Sequence, residues 1–309
     1  MAPDTAARDR AMSPRVWALF VTVAVLWGIP YAFIKIAVDD GLSPGFLAWS
    51  RVLVAAVVLA LISRASGVLG QVRGRSRWIA VYAMLEICVP FPLIGFGEQR
   101  VSSSLTAILI AAAPSFVAII ALKLVPGERM TGSRLVGLVV GLGGVVALVG
   151  LDVAGSGREL VGAGAILVAT LGYALGPMVL TLKLADVDTR ATMAGATMLG
   201  SVVLLPLAIA HPPDGVPSGD GLVAIVVLGL FCTAAAFVAY GRLVAGVGPG
   251  RASIVTYVAP VFATGLGVIA LDEAVGVGAG VGLVLILVGS WLSTGGRLRR
   301  RTGTGVGGG

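Results

Sequence analysis

Long apolar runs separated by short polar breaks make up almost the whole chain. Runs near residues 15–38, 44–64, 78–98, 104–125, 134–151, 160–183, 191–210, 221–243, 251–271 and 277–296 each approach the ~20 residues needed to cross ~30 Å of hydrocarbon. The breaks fall on turn-forming or charged clusters: Asp39-Asp40-Gly41, Gly70 to Arg77, Gly127 to Gly132, Asp152 to Arg158, His211 to Asp220 and Gly246 to Gly250. The pattern predicts an all-α polytopic membrane protein with ten transmembrane helices. The first run is too long for a signal-peptide core and has no evident small-residue cleavage site, so it reads as an uncleaved first helix.

The pattern repeats itself. A helix-long run centred on Ala113-Pro114 leads to Gly127-Glu128-Arg129 and then to Val136-Gly137-Leu138-Val139. A second run centred on Ala259-Pro260 leads to Asp272-Glu273 and then to Val281-Gly282-Leu283-Val284. Laying Pro114 on Pro260 puts Ile108 on Ile254, and after a slip of one residue Gly144 falls on Gly289. Such self-similarity indicates an internal duplication into two halves, which in a membrane protein points to a transporter. The domains are then a tail at 1–14, a first repeat at 15–151, a linker at 152–159, a second repeat at 160–296 and a basic, Gly-rich tail at 297–309.

Composition agrees with the pattern. Of 309 residues 57% are hydrophobic and 12% charged, with mean hydropathy +1.01, against about 25% charged in a soluble domain. The lipid bilayer is the surrounding solvent. The net charge of +7 reports membrane orientation; it is no sign of a nucleic-acid partner. With the amino terminus cytoplasmic, the inner loops collect Arg8, Arg10, Arg15, Arg64, Arg73, Arg75, Arg77, Arg129, Arg134, Arg190, Arg242, Arg251 and Arg297 to Arg301. The outer loops keep chiefly acids, which satisfies the positive-inside rule with both termini cytoplasmic. Five spans per half make the two halves enter from opposite sides. The prediction is therefore two inverted five-helix repeats, the symmetry that permits alternating access.

The chain resembles the EamA-like members of the drug/metabolite transporter superfamily. The first half carries Trp27-Gly28, Lys35, Pro44, Arg51, Gly97-Glu98-Gln99, Ser102 to Ser104, Pro114, Gly127-Glu128-Arg129 and Gly137; the second carries Pro260, Glu273, Gly282 and Gly289. Leu171-Gly172-Tyr173 stands where an aromatic-first motif is usual, and Asp272-Glu273 lacks the preceding glycine. The resemblance implies ten helices around a central cavity and export or exchange of small organic solutes in the cell membrane.

Several side chains could carry the chemistry. Glu86 lies about eight residues into its helix, ~12 Å deep, and an unpaired carboxylate there costs several kcal/mol. It reads either as a proton- or ammonium-binding group or as a neutral acid tying helices together. Trp27, Tyr31, Tyr82, Tyr173 and Tyr257 fall inside helices, where they either wall a cavity that accepts apolar solutes or amines or pack between helices. Lys35 and Arg51 either line the outer mouth or pair with Asp39, Asp40 or Glu98. Pro114 and Pro260 each remove a mid-helix bond, to Ile110 and Thr256, and are candidate hinges; Pro90 and Pro92 bend the Glu86 helix. Glu128 and Glu273 read as caps or as salt bridges between the repeats. Gly137-xxx-Gly141, Gly172-xxx-Gly176 and Gly278-xxx-Gly282 allow close helix contact.

No catalytic, phosphate-cradling or metal-spaced motif appears, and the lone histidine, His211, sits beside Pro212-Pro213 in a loop. Cys88 and Cys232 read as buried free thiols. The chain is read as no enzyme and as needing no cofactor or metal. Its partners are a small-molecule substrate, lipid and, in the coupled mechanism, protons. A proton-coupled exporter, a passive facilitator and a non-transporting membrane partner all remain compatible with these residues.

Overall fold

The structure, a computed structural model, describes residues 13–124, 132–213, 215–247 and 252–293. Most of the expected tail at 1–14, the tail at 297–309, Gly127-Glu128-Arg129 and Arg251 lie outside the described residues. Described residues form helices and no strand. These are α1 (Pro14–Asp39), α2 (Pro44–Ala65), α3 (Leu69–Glu98), α4 (Ser103–Ile110 and Ala113–Leu124) and α5 (Gly132–Leu148, continued by Val149–Val153). There follow α6 (Gly157–Lys183), α7 (Thr189–Ala210), α8 (Gly219–Val247), α9 (Val255–Leu271) and α10 (Val277–Ser293). Eight of them, α1 to α8, are long and apolar enough to cross a membrane; α9 and α10 are equally apolar but 17 residues each.

Local chemistry sets the helix starts. Ser13, Ser43, Ser102, Ser156 and Ser218 each accept a hydrogen bond from a first-turn amide, and Pro14 and Pro44 occupy first helical positions, where a missing N–H costs nothing. Glycines at 41 and 67 take positive φ in the turns after α1 and α2.

Three expectations need correction. Gly70 to Arg77, expected as a break, is helical: Leu69–Arg75 is a 3₁₀ stretch that opens α3. The first helix is interrupted at Ile29, because Pro30 cannot continue the bond ladder. Pro114 is not in mid-helix: α4 breaks at Ala111-Ala112 and Pro114 sits in the first turn of its second piece. Pro260 does lie inside a continuous helix.

The packing joins the two halves of the sequence. Gly137, Gly141 and Gly144 of α5 lie against Gly282, Gly289 and Leu292 of α10, so close that a methyl group on Gly144 would meet the Ile286 amide at 2.9 Å and the Gly282 carbonyl at 3.0 Å. Gly28 of α1 seats against Ala259 and Phe262 of α9. Buried apolar clusters fill the spaces between α2, α3, α7 and α8, and between α4, α5, α6 and α10.

Hydrogen bonds gather the connections into two opposite faces. On one, Ser43 donates to the His211 carbonyl, Ser218 donates to Asp40, and Arg158 donates to the Gln99 carbonyl. On the other, Ser63 and Ser66 bond Arg190, Gln71 accepts from the Asp188 amide, and Arg75 pairs with Asp186.

Candidate functional site

Residues 84–88 of α3 form a π-turn, closed by Val89 N–H donating to the Met84 carbonyl at 3.1 Å. The extra residue in such a turn pushes side chains off the regular helix face, a distortion common at functional sites. Here it presents Glu86 to α6. The Gly172-xxx-Gly176 face of α6 receives it: Gly176 lies directly under the Glu86 carboxyl and Gly172 under the Leu85 carbonyl, and neither place has room for a side chain. Glu86 is half-buried, and its Oε2 is enclosed with no hydrogen-bond partner among the described residues. Tyr82, Tyr173 and Tyr240 stand within electrostatic reach of it. The Tyr240 ring packs at a tilt against Trp27, with centroids 4.7 Å apart and the planes 41° from parallel.

A second buried polar group lies beyond Tyr173. Arg51 of α2 is 6% exposed, with its guanidinium carbon 3.9 Å from the Phe91 ring centroid. Its Nη2 donates to the Thr233 hydroxyl at 3.3 Å, while Nε has no partner. Thr233 sits in another π-turn, Val227–Ala235 of α8, and its hydroxyl donates to the Leu228 carbonyl at 2.7 Å. Tyr31, Tyr173, Cys232 and Glu98 are the nearest charged or titratable groups, and no carboxylate pairs with Arg51 among the described residues. Arg51 is thus an enclosed cation rather than a mouth group paired with surface acids. Lys35 behaves as a snorkelling lysine: Nζ donates to Asp39 at 3.0 Å and to the Glu98 carbonyl at 3.1 Å.

The sequence-predicted residues therefore divide. Glu86, Tyr82, Tyr173 and Trp27, with Tyr31 and Arg51 reached through Tyr173, form one connected group. Within it Tyr82 is turned toward α7, donating to Met193 sulfur at 3.5 Å. Tyr257 belongs elsewhere: its hydroxyl donates to the Ser290 carbonyl on α10 at 3.2 Å. Ser290 in turn donates to the Ala111 carbonyl and shares a 3.3 Å contact with Ser115, tying the break in α4 to α10. Pro114 lies at that break, and Pro260 is buried in α9. Tyr240, Phe91 and Thr233 were missed. Tyr240 lies in an apolar run and meets the same criterion that selected Tyr82; Phe91 and Thr233 carry no signal of their own.

Glu273 caps a helix, and it does so across the halves. Its carboxylate accepts from the Ser103 and Ser104 amides at 2.7 and 3.0 Å and from the Ser104 hydroxyl at 2.6 Å, at the start of α4. The left-handed Asp272 (φ 51°) turns the chain to bring it there. Asp152, at the end of α5, likewise accepts from the Gly278 and Ala279 amides at 3.0 and 2.5 Å, at the start of α10. Cys88 and Cys232 are buried free thiols.

Comparison with known proteins fits this arrangement. The model of the EamA-like transporter family matches twice, at residues 15–150 and 160–295. The chain belongs to the EamA-like transporter family. It is 31% identical to a protein named "Probable terminal-alkyne amino-acid exporter" from Streptantibioticus cattleyicolor, over 85% of this chain and 87% of that one. It is 29% identical to the uncharacterized inner membrane transporter YedA of Escherichia coli K12, over 92% and 94% of the two chains. A solved crystal structure shares the fold at TM-score 0.64 and 20% identity, covering 92% of this chain and 97% of that one. Membership makes the chain a multi-pass membrane transporter for a small-molecule substrate, and not an enzyme.

Proposed function

We propose that this transporter exports or exchanges small organic metabolites, amino-acid-like or amphiphilic solutes, by alternating access, with a proton carried on Glu86. In this reading the ten helices are ten spans in two inverted repeats, 15–151 and 160–296, joined by 152–159. Both termini are cytoplasmic, and the membrane is the cell's inner membrane. The duplicated family match and the arginines of one loop face support that topology.

The observation that carries the mechanism is Glu86 itself. A carboxyl group held off the helix by a π-turn, partly buried, with one enclosed oxygen unpartnered and aromatic rings around it, is poor at tying helices together. It is well placed to exchange a proton with a solute. Trp27, Tyr173 and Tyr240 supply apolar faces that also attract an ammonium group. The amino-acid exporter among the relatives supports an amino-acid-like cargo.

Flux in proteoliposomes tests the reading. Metabolites that accumulate in cells lacking the protein supply the candidate cargo, and an imposed pH gradient should drive its counter-movement. Flux that follows the solute gradient alone, unaltered by pH, would make the chain a passive facilitator.

A further inference from the structure

One buried acid has no part in that mechanism. Glu98 ends α3, is 0% exposed, and leaves both carboxyl oxygens without a hydrogen-bond partner among the described residues. Cations stand near it, yet each is committed elsewhere. Lys35 of α1 bonds Asp39 and the backbone carbonyl of Glu98. Arg51 of α2 is turned to Thr233 and Phe91. Arg100 donates to the Phe96 carbonyl, and Arg158 of α6 donates to the Gln99 carbonyl. Among the described residues, Tyr31 and Asp39 of α1 and the clasping Glu273 are the other titratable groups that face it. Glu273 is itself a carboxylate, accepting three hydrogen bonds from Ser103 and Ser104 just past the end of α3. A sealed carboxylate with no donor and a negative neighbour is far less favourable than a sealed neutral acid.

The surrounding contacts belong to a closed face. Glu273 fastens the turn after α9 to the start of α4, and Asp152 fastens the end of α5 to the start of α10. Glycines seat α3 on its neighbours just before Glu98: a side chain on Gly97 would collide with Ile166 at 2.6 Å and one on Gly95 with Pro44 at 3.1 Å. An opening of this face would hydrate Glu98, and its closure would strip that water away.

We propose that Glu98 is a proton-operated latch: the clasped face holds it as the neutral acid, and loss of its proton to bulk water releases the clasp at the α3–α4 and α9–α10 turns. The latch rests on the alternating-access reading, in which this face opens once per cycle. It adds a second carboxyl, distinct from Glu86, through which pH acts on the protein.

The test reads the face without any solute. Val101 is 7% exposed in the turn next to Glu98, and Val216 is 90% exposed in the α7–α8 connection. Val101→Cys and Val216→Cys are made separately in a chain carrying Cys88→Ala and Cys232→Ala. The full chain is purified in detergent and alkylated with a soluble maleimide from pH 5.5 to 8.5. Dividing the rate at position 101 by that at position 216 removes the pH dependence the two thiols share, and the Glu98→Gln chain controls for the higher titration of the more buried one. The ratio should rise on the order of tenfold with pH, and Glu98→Gln should hold it low and flat. A flat ratio in the parent, or the same rise in Glu98→Gln, overturns the latch. Should Glu98→Gln fail to accumulate, Lys35→Met decides: removing the nearby cation should move the rise to higher pH, and an unmoved midpoint overturns the proposal. A Glu98-dependent rise in a chain that shows no proton-driven flux keeps the latch and removes the coupling through Glu86. Proton-driven flux with no such rise removes the latch alone.

Discussion

The two EamA-like domains each carry a π-turn in a corresponding helix, Met84–Cys88 in α3 and Val227–Ala235 in α8. The offset that lays Pro114 on Pro260 also lays Glu86 on Cys232. One wide turn thus presents a partly buried carboxyl to glycines and aromatic rings, while the other buries a thiol beside Arg51 and uses its Thr233 hydroxyl to hold that arginine. The same backbone distortion stands in both domains, with a carboxyl on one and a thiol and a supporting hydroxyl on the other. The two domains share this backbone feature and differ in the chemistry placed on it.

The strongest way to break this comparison is to remove each group in turn. Glu86→Gln keeps size and hydrogen-bonding capacity but cannot carry a proton, so flux driven by a pH gradient should fall by tenfold or more. Equilibrium exchange of solute should persist. Cys232→Ala should retain most of the driven flux. Equal losses in the two variants would show that the π-turns, rather than the carboxyl, carry the coupling.

The next effect concerns what the π-turn rests on. A methyl group at Gly172 meets the Leu85 backbone carbonyl, which cannot move alone, so Gly172→Ala should cost about 1–3 kcal/mol of stability. At Gly176 the obstacle is the flexible end of Glu86. Gly176→Ala should therefore cost under about 1 kcal/mol yet displace the carboxyl and lower driven flux several-fold. Gly164, on the same helix, has nothing within 4 Å, and Gly164→Ala should be neutral or slightly stabilising. Thermal unfolding separates Gly172→Ala from the other two variants; driven flux separates Gly176→Ala from Gly164→Ala.

These cases show what the sequence could disclose. Apolar run length located each helix, because the bilayer imposes length and composition on whatever crosses it. Small-xxx-small spacing found the α6 face that receives Glu86, since close approach leaves only glycine as an option. The π-turns were invisible, for no residue type encodes one extra residue per turn. Arg51 was misplaced because depth alone cannot tell a snorkelling side chain from one turned inward onto Phe91 and Thr233. Tyr257 satisfied the criterion for a cavity aromatic but bonds Ser290 across a helix junction. Glu98 ends an apolar run and reads from the sequence only as a pairing partner for Lys35 or Arg51; only the fold shows it sealed.

A smaller difference separates the two prolines. Pro260 lies within a continuous helix, so Pro260→Ala restores a backbone bond to Thr256 and should stiffen α9 and slow solute exchange two- to several-fold, on the order of 1 kcal/mol in the barrier. Pro114 stands in the first turn of a helix piece, where a missing N–H is tolerated. Pro114→Ala should leave exchange nearly unchanged, because the break at Ala111-Ala112 is also held by Ser290. Exchange rates slowed equally would return both residues to the role of hinges.

The smallest expected effect contrasts the two loop faces. On the face opposite Glu98, the Asp186 carboxylate accepts hydrogen bonds from Arg75 at 3.2 and 2.5 Å, and those bonds hold it below its usual titration range. Arg190 does the same for Asp188. For a carboxyl depressed in this way, the stabilisation is present above its unfolded value near 3.8 and is lost as pH falls through the lower folded value. Asp186 is exposed, so solvent screens the pair and little stability rides on it. Asp186→Asn should lower the unfolding temperature slightly at pH 7, by an amount that shrinks with added salt and vanishes in strong acid, where the parent's own carboxyl is protonated. Acid thus weakens the contacts of this face while, in the latch, it favours closure of the other. A deficit in Asp186→Asn that persisted unchanged at low pH would mean the residue acts through packing, and the electrostatic contrast between the faces would lose one of its two sides.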